Sequence, residues 1–285
     1  MAICHQAWAH AIFGPAVKRA RVPLVVWVHM SQTRHWLERL AWRTQPDCII
    51  SNSRFTASSL PKTGARVETI YPPVEKRGTA PFSGEKGAAL LLSTRNLFGT
   101  SESDVVIIQV SRMEAWKGQA VLLEALGILR DRTGWTLWQV GGAQRPSEAR
   151  YLEALRESAK RLRIADRVRF LGQRSDVPAL LSAADIFCQP NLAPEPFGIS
   201  FVEAMSAGLP VVTSAAGAAL EFIDASCGVL LPAGDAKALA AALERLIQDS
   251  AERKRLGRAG VARAAELCDP AQQTRRLAAL MEALA

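Results

Sequence analysis

Two glutamates, Glu195 and Glu203, flank a Phe197-Gly198 step in the stretch APEPFGISFVEAMSAGLPVV. Pro194 and Pro196 hold the chain around Glu195 extended, because a residue that precedes proline is pushed out of the helical region. A helix is expected to start near Gly198 and to stop at Gly208 and Pro210, about two and a half turns later. The first N–H groups of such a helix have no partner inside it and lie at the positive end of its dipole, an arrangement that suits phosphate. Glu203 sits one turn beyond Ile199, on the face of the helix start, while Glu195 approaches from the loop. Taken singly, glutamates are usually solvated surface charges. Together they would repel a phosphate unless they accept hydrogen bonds from other parts of the same ligand. Hydroxyls of two sugars satisfy both, and a nucleotide sugar has this layout: ribose, diphosphate, hexose.

Arg112 and Lys117 in VSRMEAWKGQAVLLEAL form a second set. Two cations beside a strand end and a helix N-terminus can stabilise diphosphate charge without a metal. Lys117 by itself reads equally well as ordinary surface charge. No D-x-D pair occurs, and the four histidines, His5, His10, His29 and His35, match no standard metal-ligand spacing, so no metal is expected.

The elements that must position these residues follow from the pattern of apolar runs. VVIIQV (105–110), WTLWQVG (135–141), RVRFLG (167–172), DIFCQP (185–190), PVVTS (210–214) and GVLLP (228–232) read as strands. Amphipathic stretches such as GQAVLLEALGILRDR fill the gaps, which implies a parallel sheet with crossover helices. The loop bearing Glu195 then follows a strand's carboxyl end, where open α/β sheets bind ligands. In the first half PLVVWVH (23–29), DCIIS (47–51) and RVETIY (66–71) read as strands, with helical WLERLAWR and RFTASSL between them. AICHQAW resembles the end of a strand, as if the domain began part-way through. The division expected is a partial N-terminal domain over 1–80, a linker over 81–104 in which LLLSTRNLF is a short helix, a nucleotide-binding domain over 105–265, and a C-terminal helix over 266–285 that packs back on the first domain.

Composition excludes several classes. No uncharged apolar run reaches about 18 residues, the length needed to span a bilayer. The five cysteines are dispersed, odd in number and without a C-x-x-C pair, which argues against a disulfide framework or structural zinc. The N-terminus lacks the features of a secretion signal, which reads as a cytoplasmic protein. The net charge of +8 favours anionic partners. Part of it lies in ERKRLGRAGVARAAE, read first as a solvated helix face and second as a peripheral contact with anionic lipid at the inner membrane face. Neither a helix-turn-helix nor a finger nor an aromatic-rich sheet accompanies the charge, so nucleic acid is not expected.

The residues quoted carry a resemblance. EPFGISFVEAMSAGLPVV resembles the E-x7-E signature of the retaining GT-B glycosyltransferases of family 4, and VSRMEAWKGQAVLLEAL resembles that family's second signature. The likeness extends through SNSRFTASSL, FLGQRSDVPALLSAADIFCQP and TSAAGAALEFI, most of the chain. It implies an α/β GT-B fold, two Rossmann-like domains across a cleft, here with the N-terminal one incomplete. It further implies that Glu195 contacts hydroxyls of the donor sugar and Glu203 the ribose, and that backbone N–H groups of Phe197, Gly198 and Ile199 approach the sugar and its phosphate. Arg112 and Lys117 would neutralise the leaving diphosphate, and His29 would face the reacting sugar. Gly217 and Glu221 match the family's next donor-binding positions, although Ala218 stands where a second glycine is common. The donor is then a nucleotide-diphosphate sugar, used as substrate with no cofactor, and the acceptor a saccharide or a lipid-linked one. Two readings stay open: a retaining, metal-independent hexosyltransferase of polysaccharide or lipopolysaccharide synthesis, or a donor-binding fragment that needs a partner chain for its missing half.

Overall fold

A computed structural model describes residues 1–33, 35–74 and 84–284 of the chain. Strands and helices alternate as far as the last strand, after which three helices follow in succession. The first are β1 (Ala2–His5), α1 (Gln6–Arg19), β2 (Leu24–Val28), α2 (Trp36–Ala41), β3 (Cys48–Ser51), α3 (Arg54–Ser58) and β4 (Arg66–Thr69). There follow α4 (Gly84–Leu97), β5 (Val105–Val110), α5 (Gln119–Ile128), β6 (Trp135–Val140), α6 (Pro146–Arg161), β7 (Val168–Gly172), α7 (Val177–Ala183) and β8 (Ile186–Gln189). The last are α8 (Ile199–Ser206), β9 (Val211–Ser214), α9 (Ala219–Phe222), β10 (Gly228–Leu231), α10 (Ala236–Gln248), α11 (Ser250–Cys268) and α12 (Pro270–Glu282).

Two compact units result. The first comprises Met1–Val74, Glu195–Ile199 and Leu267–Ala285. Its sheet is parallel in the order β1-β2-β3-β4. The central strands are apolar runs because both of their faces are covered. Leu24, Val26, Val28 and Ile49 form one core with Cys4, while Val25, Cys48 and Ile50 form another with Leu280 of α12. Asp269 caps α12 by accepting from the Gln272 N–H, and Arg276 donates to the Thr69 carbonyl, which ties this helix to β4.

In the second unit the described residues from 84 to 194 join Ser200–Glu266. All six strands are parallel, in the order β10-β9-β8-β5-β6-β7. Read from β7 this is 3-2-1-4-5-6, the doubly wound dinucleotide-binding order. Leu122, Leu126, Trp135, Leu137, Leu155 and Leu243 pack into its main core. At one end Asp185 accepts from the Val106 N–H at 2.7 Å and from Arg95 of α4 at 2.7 Å, so a half-buried ion pair fastens α4 to the sheet.

The structure differs from three sequence expectations. Residues 6–19, to which the pattern assigned no helix, form α1, so only Ala2–His5 of AICHQAW are strand, paired in parallel with β2. The segment expected as a linker with a short helix over LLLSTRNLF contains the longer α4; residues 81–83 of that segment lie outside the described residues. In the basic segment, Arg253 donates to the Leu246 and Ile247 carbonyls and Arg263 to that of Glu221, so part of this charge anchors α10 and α9 rather than facing solvent freely. Among the described residues no helix is long and apolar enough to cross a membrane.

Candidate active site

In a doubly wound sheet the strand order reverses once, and ligands settle in the crevice at the carboxyl ends of the strands beside that reversal. Here it falls between β5 and β8. Residues singled out in the sequence leave those two strands: Arg112 follows β5 by two positions, and the loop to Glu195 follows β8.

The two loops are built against each other. Residues 115–117 form a single 3-10 turn that Gly118 ends at φ +75°, a left-handed value that disfavours any side chain. A Cβ at Gly118 would lie 1.9 Å from the Pro190 carbonyl oxygen, so only glycine lets the turn approach the β8 loop this closely. The Leu192 N–H donates to the Trp116 carbonyl at 2.7 Å and completes the contact. Gly118 then serves as N-cap of α5, and Lys117 lies over the Trp116 ring at 3.9 Å. Arg112 is held by carboxylates: one guanidinium nitrogen bonds Glu114, and the other lies 4.0 Å from Glu148 and 3.5 Å from the Gln144 amide oxygen.

Gly198 closes the β8 loop at φ +84°, and α8 starts at the next residue as expected. The segment Glu195–Ile199 groups with the first unit, in which its carbonyl at Pro196 accepts from Ser53 at 2.5 Å and Thr56 at 3.3 Å. Ser53 also caps α3 by accepting from the Thr56 N–H. Phe197 is buried beside Tyr71, their rings 6.3 Å apart. Glu195 is 8% exposed, an uncommon state for a carboxylate, whereas Ile199 is 52% exposed. Glu203 lies half-buried within α8.

Beyond β9, Gly217 takes φ +66° and Ala218 takes φ −69°. Only the first position needs glycine, so alanine at the second strains nothing. Glu221 stands in the first turn of α9, a helix of four residues.

In the first unit His29 follows β2 and its ring runs nearly parallel to that of His5, the last residue of β1: the two differ by 2° in tilt, and His5 Nδ1 is 2.9 Å from His29 Nε2. Trp27 stacks on both. Partial burial and, after it, the charge of His5 push the His29 pKa below the usual histidine range. His10 donates to the Thr44 carbonyl from within the core, and His35 caps α2, so neither belongs to this pair.

Sequence reasoning singled out Glu195 and Glu203 from their spacing, and Arg112 and Lys117 through the family resemblance. It missed His5, 24 positions from His29, and it missed Gln109 and Gln119, two fully buried glutamines beneath the Arg112–Lys117 turn. Only the parallel pairing of β1 with β2 could have indicated the first.

Comparison with known proteins identifies the family and the fold. Residues 94–263 match the family model of the glycosyl transferases group 1. Among curated relatives, a D-inositol 3-phosphate glycosyltransferase of Salinispora tropica is 33% identical over 226 residues, covering 75% of this chain and 46% of its own length. A phosphatidyl-myo-inositol mannosyltransferase of Mycobacterium leprae is 40% identical over 151 residues, 52% of this chain and 38% of that protein. The chain thus spans about half the length of the curated relatives it matches. Among solved structures, Anabaena HepE in complex with UDP superposes with a TM-score of 0.89 at 27% identity, over 99% of this chain and 78% of that one. The two parallel sheets are those of the GT-B fold, and the chain belongs to the group 1 glycosyltransferases.

Proposed function

We propose that the protein transfers a hexose, with retention of configuration and without a metal, from a uridine or guanosine diphosphate sugar to a saccharide or lipid-linked acceptor. The observation that carries this reading is the packing of the Arg112–Gly118 turn against the β8 loop at the point where the strand order reverses. Two cations and the N-terminus of α8 then supply positive potential where a diphosphate leaves. HepE, bound to UDP in one solved structure and to UDP-glucose in another, supports a nucleotide sugar as donor.

In this account the bond from the anomeric carbon to the diphosphate oxygen lengthens and positive charge develops on the sugar. The acceptor hydroxyl attacks from the same face, and its proton passes to the departing phosphate oxygen. Arg112 and Lys117 offset the growing negative charge. Phe197, Gly198 and Ile199 offer backbone N–H groups, Gly198 permitting close approach. Glu195 accepts from hydroxyls of the hexose, Glu203 from the ribose, and Gly217 and Glu221 border the donor. His29, kept neutral at pH 7 by its depressed pKa, accepts or donates a hydrogen bond at the sugar without adding charge.

Calorimetric titration with UDP and GDP in the absence of metal tests the donor site. One of them should bind, and Glu203→Ala should weaken it by about 1.5–3 kcal/mol, the worth of hydrogen bonds to a charged group. Binding of neither nucleotide, or equal binding by the variant, would contradict the assignment.

A further inference from the structure

Two glutamines with no exposed surface lie under the cation-bearing turn, one at each end of it. Gln119, the first residue of α5, uses both amide hydrogens: Nε2 is 2.9 Å from the Arg112 carbonyl and 3.1 Å from Ser111 Oγ. Its Oε1 accepts from the Tyr151 hydroxyl at 3.4 Å. Gln109, in β5, donates from Nε2 to the Lys117 carbonyl at 2.7 Å and accepts on Oε1 from Gln139 of β6 at 3.1 Å. Because a backbone carbonyl can only accept, these contacts fix which way each amide points.

We infer that Gln109 and Gln119 are positioning residues for the donor diphosphate, each clamping one end of the Arg112–Lys117 turn. The inference rests on the donor-site reading proposed above. The physical reason is one of cost. A buried amide is expensive unless its donors and acceptor are engaged, and an apolar side chain of equal length would fill the space without that demand. Here the amides bond the backbone of the two residues that carry the cations, and they do so without adding charge beneath them. Inside the turn the Glu114 N–H bonds the Arg112 carbonyl and the Lys117 N–H bonds that of Glu114, so fixing both ends leaves the turn few alternative shapes. Met113, almost fully buried, anchors it next to Arg112. A diphosphate is then met by cations whose backbone does not reorganise on binding.

The test compares Gln109→Met and Gln119→Met with the parent chain. Gln119→Asn, whose shorter amide withdraws from the turn, is a milder variant should methionine impair folding. Leu155→Ala is a control that loosens the same core and removes none of the side-chain hydrogen bonds to the turn. UDP and GDP affinities are measured by calorimetry, those of uridine and guanosine by NMR titration, and stability by thermal unfolding. The glutamine variants should lose about 10- to 100-fold in diphosphate affinity, by analogy with residues that hold metal ligands in place. Their nucleoside affinity should stay within about twofold of the parent's, and Leu155→Ala should lower the melting temperature while keeping the diphosphate affinity. Variants that retain UDP and GDP binding, or lose nucleoside and diphosphate binding in equal proportion, overturn the assignment alone. A parent chain that binds neither diphosphate overturns the donor site and this assignment with it.

Discussion

Replacing Gly118 by alanine should damage both stability and donor binding, and the structure separates the causes. The new Cβ would stand 1.9 Å from the Pro190 oxygen and 2.6 Å from its carbonyl carbon, where real Cβ contacts essentially never fall below 3.0 Å. The turn and the β8 loop must therefore part by about 1 Å. Alanine at φ +75° adds about 1–2 kcal/mol of backbone strain. Overpacking against a fixed carbonyl adds about 1–3 kcal/mol. Together these predict a loss of about 2–5 kcal/mol, or a melting temperature lower by about 4–20 °C for a chain of this size. A displacement of about 1 Å in a catalytic array costs on the order of 100-fold in rate. Gly134→Ala is the matched control, because Gly134 has φ +80° and a Cβ added there meets nothing within 4 Å. It should show the strain alone, about 1–2 kcal/mol, with donor affinity intact. Thermal unfolding and calorimetry with UDP and GDP read both effects. If the two alanine variants were equally stable and bound nucleotide equally well, the reasoning from loop contact to site would be refuted.

Three further outcomes follow. Ser53→Ala removes the cap of α3 and the 2.5 Å bond to the Pro196 carbonyl, and should cost about 1–2 kcal/mol in urea unfolding while weakening the diphosphate; an unchanged midpoint would count against it. His10, through burial that outweighs its bond to Thr44, and His29 both titrate below the usual histidine value of 6.5. With the folded pKa depressed, the unfolded chain binds more protons as the pH falls below about 6.5, so stability should be full above that value and decline beneath it. Urea midpoints at about pH 7.5 and 5.5 check the sign, and His10→Gln should flatten the slope. Asp185→Asn leaves Arg95 of α4 without its carboxylate and weakens the bond from Val106, so a loss of about 1–3 kcal/mol is expected by thermal unfolding.

The second sheet was legible in the sequence because its strands are covered on both faces. Such strands read as nearly continuous apolar runs, VVII or IFC, and glycine or proline marks many of their ends. Helix α1 was not legible for the opposite reason. Its buried positions include His10 and Gly14, while Trp8, Ile12 and Phe13 are 62%, 59% and 58% exposed, so the usual apolar stripe is inverted. Gly14 is buried because the helix passes close to its neighbours: an added Cβ would lie 3.4 Å from Thr44 Cγ2 and 3.5 Å from Leu24 Cδ2. Helix α4 was obscured by the proline, glycine and charge content of the segment around it. At the candidate site, spacing marked Glu195 and Glu203, and the family resemblance marked Arg112 and Lys117, because charged residues close together in sequence stand out as a pattern. Glutamine carries no such signal: Gln119 reads as a surface residue until its burial and its bond to the Arg112 carbonyl are seen.

The central claim is that a nucleoside diphosphate lies where the strand order reverses, its phosphates at the start of α8 and beside the Arg112–Gly118 turn. Backbone amide NMR spectra of the isotope-labelled chain, recorded with UDP or GDP and again with the matching nucleoside, test it directly. The account predicts that shifts present with the diphosphate and absent with the nucleoside concentrate at Gly198, Ile199 and residues 112–118. Diphosphate-dependent shifts centred elsewhere, such as the surface hollow lined by Arg156, Lys160 and Arg169, would contradict it.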